Sequence, residues 1–374
     1  MLSRHVYVHV PFCARRCSYC DFAIAVRRRL PVDEYIDAVA RELALRFPDS
    51  GETWHVDTVY LGGGTPSLLG DAGVSRLLEV LRERLVLAPE AELTLEANPE
   101  DVSVAAARTW RDAGINRISI GAQSFTETAL RWMHRTHGAD SIARAVRDSR
   151  VAGLDDVSLD LIFGLPDEVP RNWRSDLTSA LSLEPTHLSL YGLTVEASTP
   201  LAKWRERGAA TEASEERYES EYLLAHELML ASGFDHYEVS NFARPGRSAR
   251  HNSAYWNGAT YVGLGPSAHE FDGAVRRWNL RSYSAWLEKV QKGKDPIDGS
   301  EDLDSENVAA EHVYLGLRTA AGLRLSEIES SRVAAWVAAG WATVANNERL
   351  VLTALGWLRL DALAADLTVV RSHS

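Results

Sequence analysis

The sequence predicts an α/β chain: a partial (β/α)6 TIM-like barrel followed by a smaller, mostly helical C-terminal domain that is winged-helix-like. Three observations carry that expectation. Short β-branched runs alternate with segments of helical period up to Tyr191, glycine and polar clusters fall at the carboxyl end of each run, and the alternation stops after Glu212.

Residues 6–10, Val6-Tyr7-Val8-His9-Val10, alternate β-branched and aromatic side chains until Pro11 stops the strand. Residues 33–47 place Tyr35, Ile36, Val39 and Leu43 at helical spacing, and residues 56–61 form the next strand. Helices over 73–85, 102–113, 141–152 and 173–183 then alternate with strands over 93–96, 117–120, 157–161 and 187–191. Six parallel strands with crossover helices curl toward a barrel, short of the eight that close one. An open doubly wound sheet fits the same alternation. A long amphipathic helix over 213–232 follows, then Tyr237-Glu238-Val239-Ser240 and a loop-rich stretch. A linker over 292–300 leads into a helical segment holding a hairpin of 341–344 and 350–353 about a turn at Asn346-Asn347. The expected domains are 1–210, 211–299 and 300–374. Beyond Glu301 acids outnumber bases, which favours a packing or partner role over DNA for the last of them.

All three cysteines lie within Cys13-Ala14-Arg15-Arg16-Cys17-Ser18-Tyr19-Cys20, just past the first strand. Intervals of three and two residues let a short loop point three sulfurs at one centre, as iron–sulfur ligation requires. Three thiolates leave one iron of a 4Fe–4S cluster open to a small molecule. A structural zinc site is the alternative, but it wants four ligands, and the nearest histidine, His9, lies on the strand. Unligated buried thiols are a third reading.

Gly62-Gly63-Gly64-Thr65-Pro66 follows the second strand. It reads either as backbone amides bared toward a carboxylate or as a plain tight turn. Glu96 with Asn98, Gly121 with Gln123, and Asp160 with Gly164 end the next three strands. Each alone is a common cap or turn residue, yet their recurrence on one face marks the ligand-binding end of such a sheet. His251-Asn252-Ser253-Ala254-Tyr255-Trp256 joins an imidazole to two aromatics, which suits a planar metallated ligand such as haem. The plainer reading is a packed corner in which His251 bonds a backbone carbonyl.

The net charge of −12 argues against nucleic acid or an anionic membrane as main partner. A hydrophobic fraction of 45% and a charged fraction of 25% are ordinary for a globular enzyme. No apolar run reaches the roughly 18 residues of a bilayer span, and the first residues carry no signal-like segment. A cytoplasmic location is expected, where cysteines stay reduced.

Taken together, Tyr7 through Phe22, the glycine run, Ile115 through Phe125 and Asp160 through Pro166 resemble the radical S-adenosylmethionine superfamily, in its coproporphyrinogen-III-oxidase-like branch. Asp21-Phe22 directly after the third cysteine, the His251–Trp256 segment and a short N-terminus are most similar to the haem-chaperone members of that branch. The resemblance implies a 4Fe–4S cluster on Cys13, Cys17 and Cys20, with S-adenosylmethionine on the fourth iron. It implies Gly63, Gly64 and Thr65 along the methionine, Glu96 at its amino group and Arg135 at its carboxylate. Gln123 and Asp160 would then reach the ribose, and Tyr7 would pack beside the cluster. Haem is implied as cargo, with His251, Asn252, Tyr255 and Trp256 as candidate contacts, haem-requiring respiratory apo-proteins as recipients, and no nucleic acid. A homodimer and peripheral membrane association through those recipients are further expectations. The runner-up function is an oxygen-independent coproporphyrinogen III dehydrogenase, which decarboxylates propionates by radical hydrogen abstraction.

Overall fold

The structure, a computed structural model, describes residues 3–47, 53–325, 329–345 and 349–372. The turn expected at Asn346-Asn347 lies outside them. Nine strands form the principal sheet: β1 (His5–Val10), β2 (Trp54–Gly63), β3 (Leu85–Ala97), β4 (Arg117–Gln123), β5 (Asp156–Phe163), β6 (His187–Gly192), β7 (Asp235–Glu238), β8 (Asn241–Ala243) and β9 (Val262–Leu264). Their spatial order is β9-β1-β2-β3-β4-β5-β6-β8-β7, parallel from β9 to β6 and antiparallel at β8 and β7. The crossovers carry α1 (Val32–Arg46), α2 (Gly70–Arg82), α3 (Val104–Asp112), α4 (Glu127–Trp132), α5 (Ala139–Val151) and α6 (Trp173–Ser182).

The central strands are two-faced in an unusual sense. Leu61, Leu95, Ile118, Ile120, Val157, Leu159 and Leu188 are buried in the core shared with the helices. The intervening residues are polar and mostly just as buried: Thr58, Thr94, Ser119, Ser158 and Ser189, with Glu96 and Asp160 at the strand ends. Successive strand residues point to opposite faces, so one face is greasy and the other is a hydrogen-bonded polar wall. Residues of β2 through β6 line one cavity, and a flat five-strand sheet would spread them over roughly 20 Å. The sheet therefore curls, and among the described residues no pairing joins β9 to β7 to close it.

Two differences from the sequence reading have local causes. A seventh parallel strand, β9, lies beside β1. Three residues in a glycine-rich stretch are too few to leave a period-2 signature. The third strand begins at Leu85 rather than 93, because Pro89 and Glu90 interrupt the apolar alternation of a strand that pairs on both sides of them.

After β6 come α7 (Pro200–Glu206), α8 (Glu215–Ala231), α9 (Arg250–Trp256), α10 (Tyr283–Gln291) and α11 (Ser305–Arg318). Two contacts fix the segments around β9. The backbone amides of Arg250 and His251, at the start of α9, donate to the Glu92 carboxylate at 2.8 and 2.9 Å. Glu42 of α1 is fully buried and accepts from Gly265 N (2.8 Å), Asn279 Nδ2 (2.6 Å) and Trp286 Nε1 (2.9 Å). That one carboxylate gathers the turn after β9, a hairpin strand and α10 onto the first helix. Toward the C-terminus, Ala342–Ala345 and Arg349–Leu352 pair antiparallel as expected, flanked by helices Ser330–Ala338 and Leu360–Ser372. Among the described residues no helix is long and apolar enough to cross a membrane.

Candidate functional site

The three cysteines open into one cavity of about 370 Å³ at the carboxyl ends of the strands. Phe12–Cys13 pairs with Ala25–Val26, which closes the loop into a ring of chain. Its middle is tied down by Ser18 N–H to Met133 O (3.3 Å) and Leu201 N–H to Ser18 O (2.9 Å). All three thiols are free and half-buried. Burial pushes Cys13 up to about 11, against a 3.5 Å contact with the Thr65 hydroxyl. Among the described residues no group of three or more His, Cys, Asp or Glu is gathered closely enough to hold a single metal ion. A mononuclear zinc site asks its donors to converge on one ion, whereas a cluster asks each thiolate to hold a different iron.

Every other residue implied for S-adenosylmethionine, except Tyr7, lines the same cavity: Gly63, Gly64, Thr65, Glu96, Gln123, Arg135 and Asp160. The glycines are there for space. A Cβ on Gly64 would stand 2.7 Å from Phe12 O and 2.8 Å from Val10 O, and Gly63 has φ +107° with the His9 ring 2.5 Å from its would-be Cβ. Glu96 accepts from Tyr60 Oη (2.7 Å) and Gly63 N (3.0 Å), and burial lifts its pKa to about 7. Arg135 donates to Asn98 Oδ1 (2.7 Å), Gly121 O (3.0 Å) and the Cys17 sulfur (3.5 Å), while its Nε has no hydrogen-bond partner among the described residues. Ser119 donates to both Asp160 oxygens at 3.0 and 3.1 Å. One carboxylate, one guanidinium with a spare donor and three thiols fit a ligand that carries both an amine and a carboxylate beside a cluster.

Sequence reasoning missed Tyr60, Ser119 and Tyr191 in this wall. Their signal was present as polar side chains next to aliphatic ones: Tyr60 between Val59 and Leu61, Ser119 between Ile118 and Ile120, and Tyr191 after Leu190.

Tyr7 stands elsewhere. It lines a second cavity of about 630 Å³, which shares Phe22 and Gly63 with the first. Tyr255 and Trp256 line it too, with Tyr261, Phe271 and Tyr314, while Arg276, Arg281 and His269 stand among its polar residues beside Asp21, Ser267 and Glu311. His251 and Asn252 do not reach either cavity. The His251 ring is 1% exposed, with Nδ1 2.7 Å from Thr58 Oγ1 and Nε2 2.7 Å from Tyr255 Oη. Both nitrogens are engaged by hydroxyls, rather than by the backbone carbonyl that the packed-corner reading expected. Burial lowers its pKa to about 3, so the ring is neutral and buttresses Tyr255.

Residues 7–178 match the family model described as the Radical SAM superfamily. A curated protein of Mycobacterium tuberculosis named "Heme chaperone HemW" is 37% identical over 368 residues, 97% of this chain and 94% of that protein. The chain belongs to the HemW family of radical SAM proteins. A HemW of Escherichia coli is 38% identical over 267 residues, covering 71% of this chain and 69% of its own. The solved coproporphyrinogen III oxidase HemN of E. coli, described as a radical SAM enzyme, superposes with a TM-score of 0.81 at 24% identity, over 97% of this chain and 90% of that one. At that identity the likeness shows the fold alone: HemW and HemN share one scaffold. Membership of the superfamily implies S-adenosylmethionine and a 4Fe–4S cluster, and the first cavity offers donors of the right kinds for both.

Proposed function

We propose that this protein binds haem and delivers it to haem-requiring proteins, on a scaffold whose first cavity carries the cluster and S-adenosylmethionine. One observation supports the reading above the rest: an aromatic-walled second cavity, bordered by two arginines and by Tyr255 and Trp256, adjoins the cysteine cavity. A flat apolar macrocycle with acidic tails matches such a wall. Relatives that carry the HemW name cover 97% and 71% of the chain, which favours a chaperone over the dehydrogenase alternative.

In this reading Cys13, Cys17 and Cys20 hold the cluster. Glu96 receives the amino group of S-adenosylmethionine, the free Nε of Arg135 its carboxylate, and Asp160 with Gln123 the ribose. A cluster held on Cys13, Cys17 and Cys20 would supply the reducing electron for a sulfonium ligand placed beside it. The chain's own residues exclude water from the polar wall and hold the ligand's charges. Anaerobic haem titration followed by optical absorption tests the function: stoichiometric saturation supports it, and no haem-dependent spectral change would rule it out.

A further inference from the structure

We propose that His269 is the axial ligand of the haem iron in the second cavity and that Arg281 meets a haem propionate. This rests on the haem-carrying reading above and assigns it a site.

The histidines around this cavity sort themselves by what their nitrogens already do. His9 lines the wall, but its Nε2 is 2.9 Å from Ala23 O and its Nδ1 3.1 Å from Tyr7 Oη. His5 is bonded through Nδ1 to Thr58 Oγ1 at 2.9 Å, and both nitrogens of His251 are taken. His269 also lines the wall, is exposed, and its ring makes no hydrogen bond among the described residues. Iron needs a nitrogen lone pair that is free and reachable, and His269 is the histidine of this wall that offers one.

Its mounting is firm. His269 opens the strand His269–Phe271, paired antiparallel with Val275–Asn279, and its ring stacks on Trp278 at 5.9 Å and 28°. The turn before it is held by Glu42 through Gly265.

The arginines divide as well. Arg276 is committed to Glu311 at 2.7 Å and lies over the Phe271 ring. Arg281 donates to the Asp21 carbonyl, and among the described residues no carboxylate lies within ion-pair distance of it. A cation on a cavity rim without an internal counter-ion is suited to an incoming carboxylate.

The test is anaerobic haem titration of full-length wild type, His269→Ala, His269→Gly, Arg281→Ala and His251→Ala, read by the ligand-sensitive absorption bands, with circular dichroism to confirm folding. His269→Ala is expected to bind haem about tenfold or more weakly and to lose the nitrogen-ligated spectrum. Added imidazole restores that spectrum in His269→Gly. Arg281→Ala weakens binding about threefold with the spectrum intact, as an exposed ion pair would. His251→Ala retains the ligand signature. An unchanged spectrum in His269→Ala, with wild type binding haem, overturns the assignment alone. Wild type that binds no haem overturns the haem reading and the assignment together.

Discussion

The two cavities share a wall and are built on opposite principles. In the first, the functional groups come from consecutive strand ends of one parallel sheet, and nearly every charge is already answered: Glu96 by Tyr60 and Gly63, Asp160 by Ser119, Arg135 by Asn98 and Gly121. In the second, the wall is assembled from β1, the cysteine loop, α9, a hairpin and α11, and its polar groups His269 and Arg281 are exposed and largely unengaged. A pre-satisfied polar wall fixes geometry before the ligand arrives and suits a resident cofactor. An open aromatic wall with spare donors suits a load that must also leave.

The sharpest contrast comes from the cysteines. Replacing any one of Cys13, Cys17 or Cys20 by Ala is expected to abolish nearly all cluster assembly, read as iron content and visible absorption after anaerobic reconstitution, while haem binding persists. Full cluster occupancy on two cysteines would break the comparison.

Glycines separate the cavities by stability. Gly64→Ala sets a Cβ 2.7 Å from the Phe12 carbonyl, and Gly263→Ala sets one 2.1 Å from the His269 carbonyl. Backbone cannot step aside as a side chain can, so each is expected to lower unfolding stability by about 3 kcal/mol in urea titrations. The first should impair cofactor loading and the second haem binding, and equal damage to both would mean that the cavities are not independently built.

Glu42 gives a pH signature to the mounting of the second cavity. Burial raises its pKa from the ordinary 4.5 to about 7, so between those values the folded protein holds a proton that the unfolded chain has released. Stability from this group is fully present below pH 4.5 and falls as pH rises toward 7, by on the order of 3 kcal/mol. Glu42→Gln removes that slope, and denaturation curves at pH 5 and 7 that shift equally in both proteins would refute it.

The smallest expected effect concerns Glu96. Its pKa of about 7 means the carboxyl is protonated at lower pH and cannot receive an ammonium group. Affinity for S-adenosylmethionine is expected to climb by up to about tenfold per pH unit below 7 and then level off, a slope that Glu96→Gln abolishes in calorimetric titrations. Affinity that is flat across the same range in wild type would remove Glu96 from the ammonium site.

The first cavity was largely legible because its chemistry is local. Cysteine spacing, the glycine run and the polar residue closing each strand can be read without knowing the fold. The second was not, since His269, Arg281 and Tyr314 are brought together only by β9, a strand of three residues, and by the Glu42 clamp from another part of the chain. His251 is ambiguous in the sequence for a related reason. An imidazole next to a tyrosine signals either a ligand or an internal hydrogen bond, and only burial at 1% with two hydroxyl partners distinguishes them.

The central claim is that two neighbouring sites carry two separate loads. Haem titration of the wild-type protein before and after cluster reconstitution tests it most directly. The account predicts stoichiometric haem binding in both states with the same nitrogen-ligated spectrum. Haem that binds only to the cluster-free protein, with a thiolate-ligated spectrum, would place the cargo on the cysteines and contradict it.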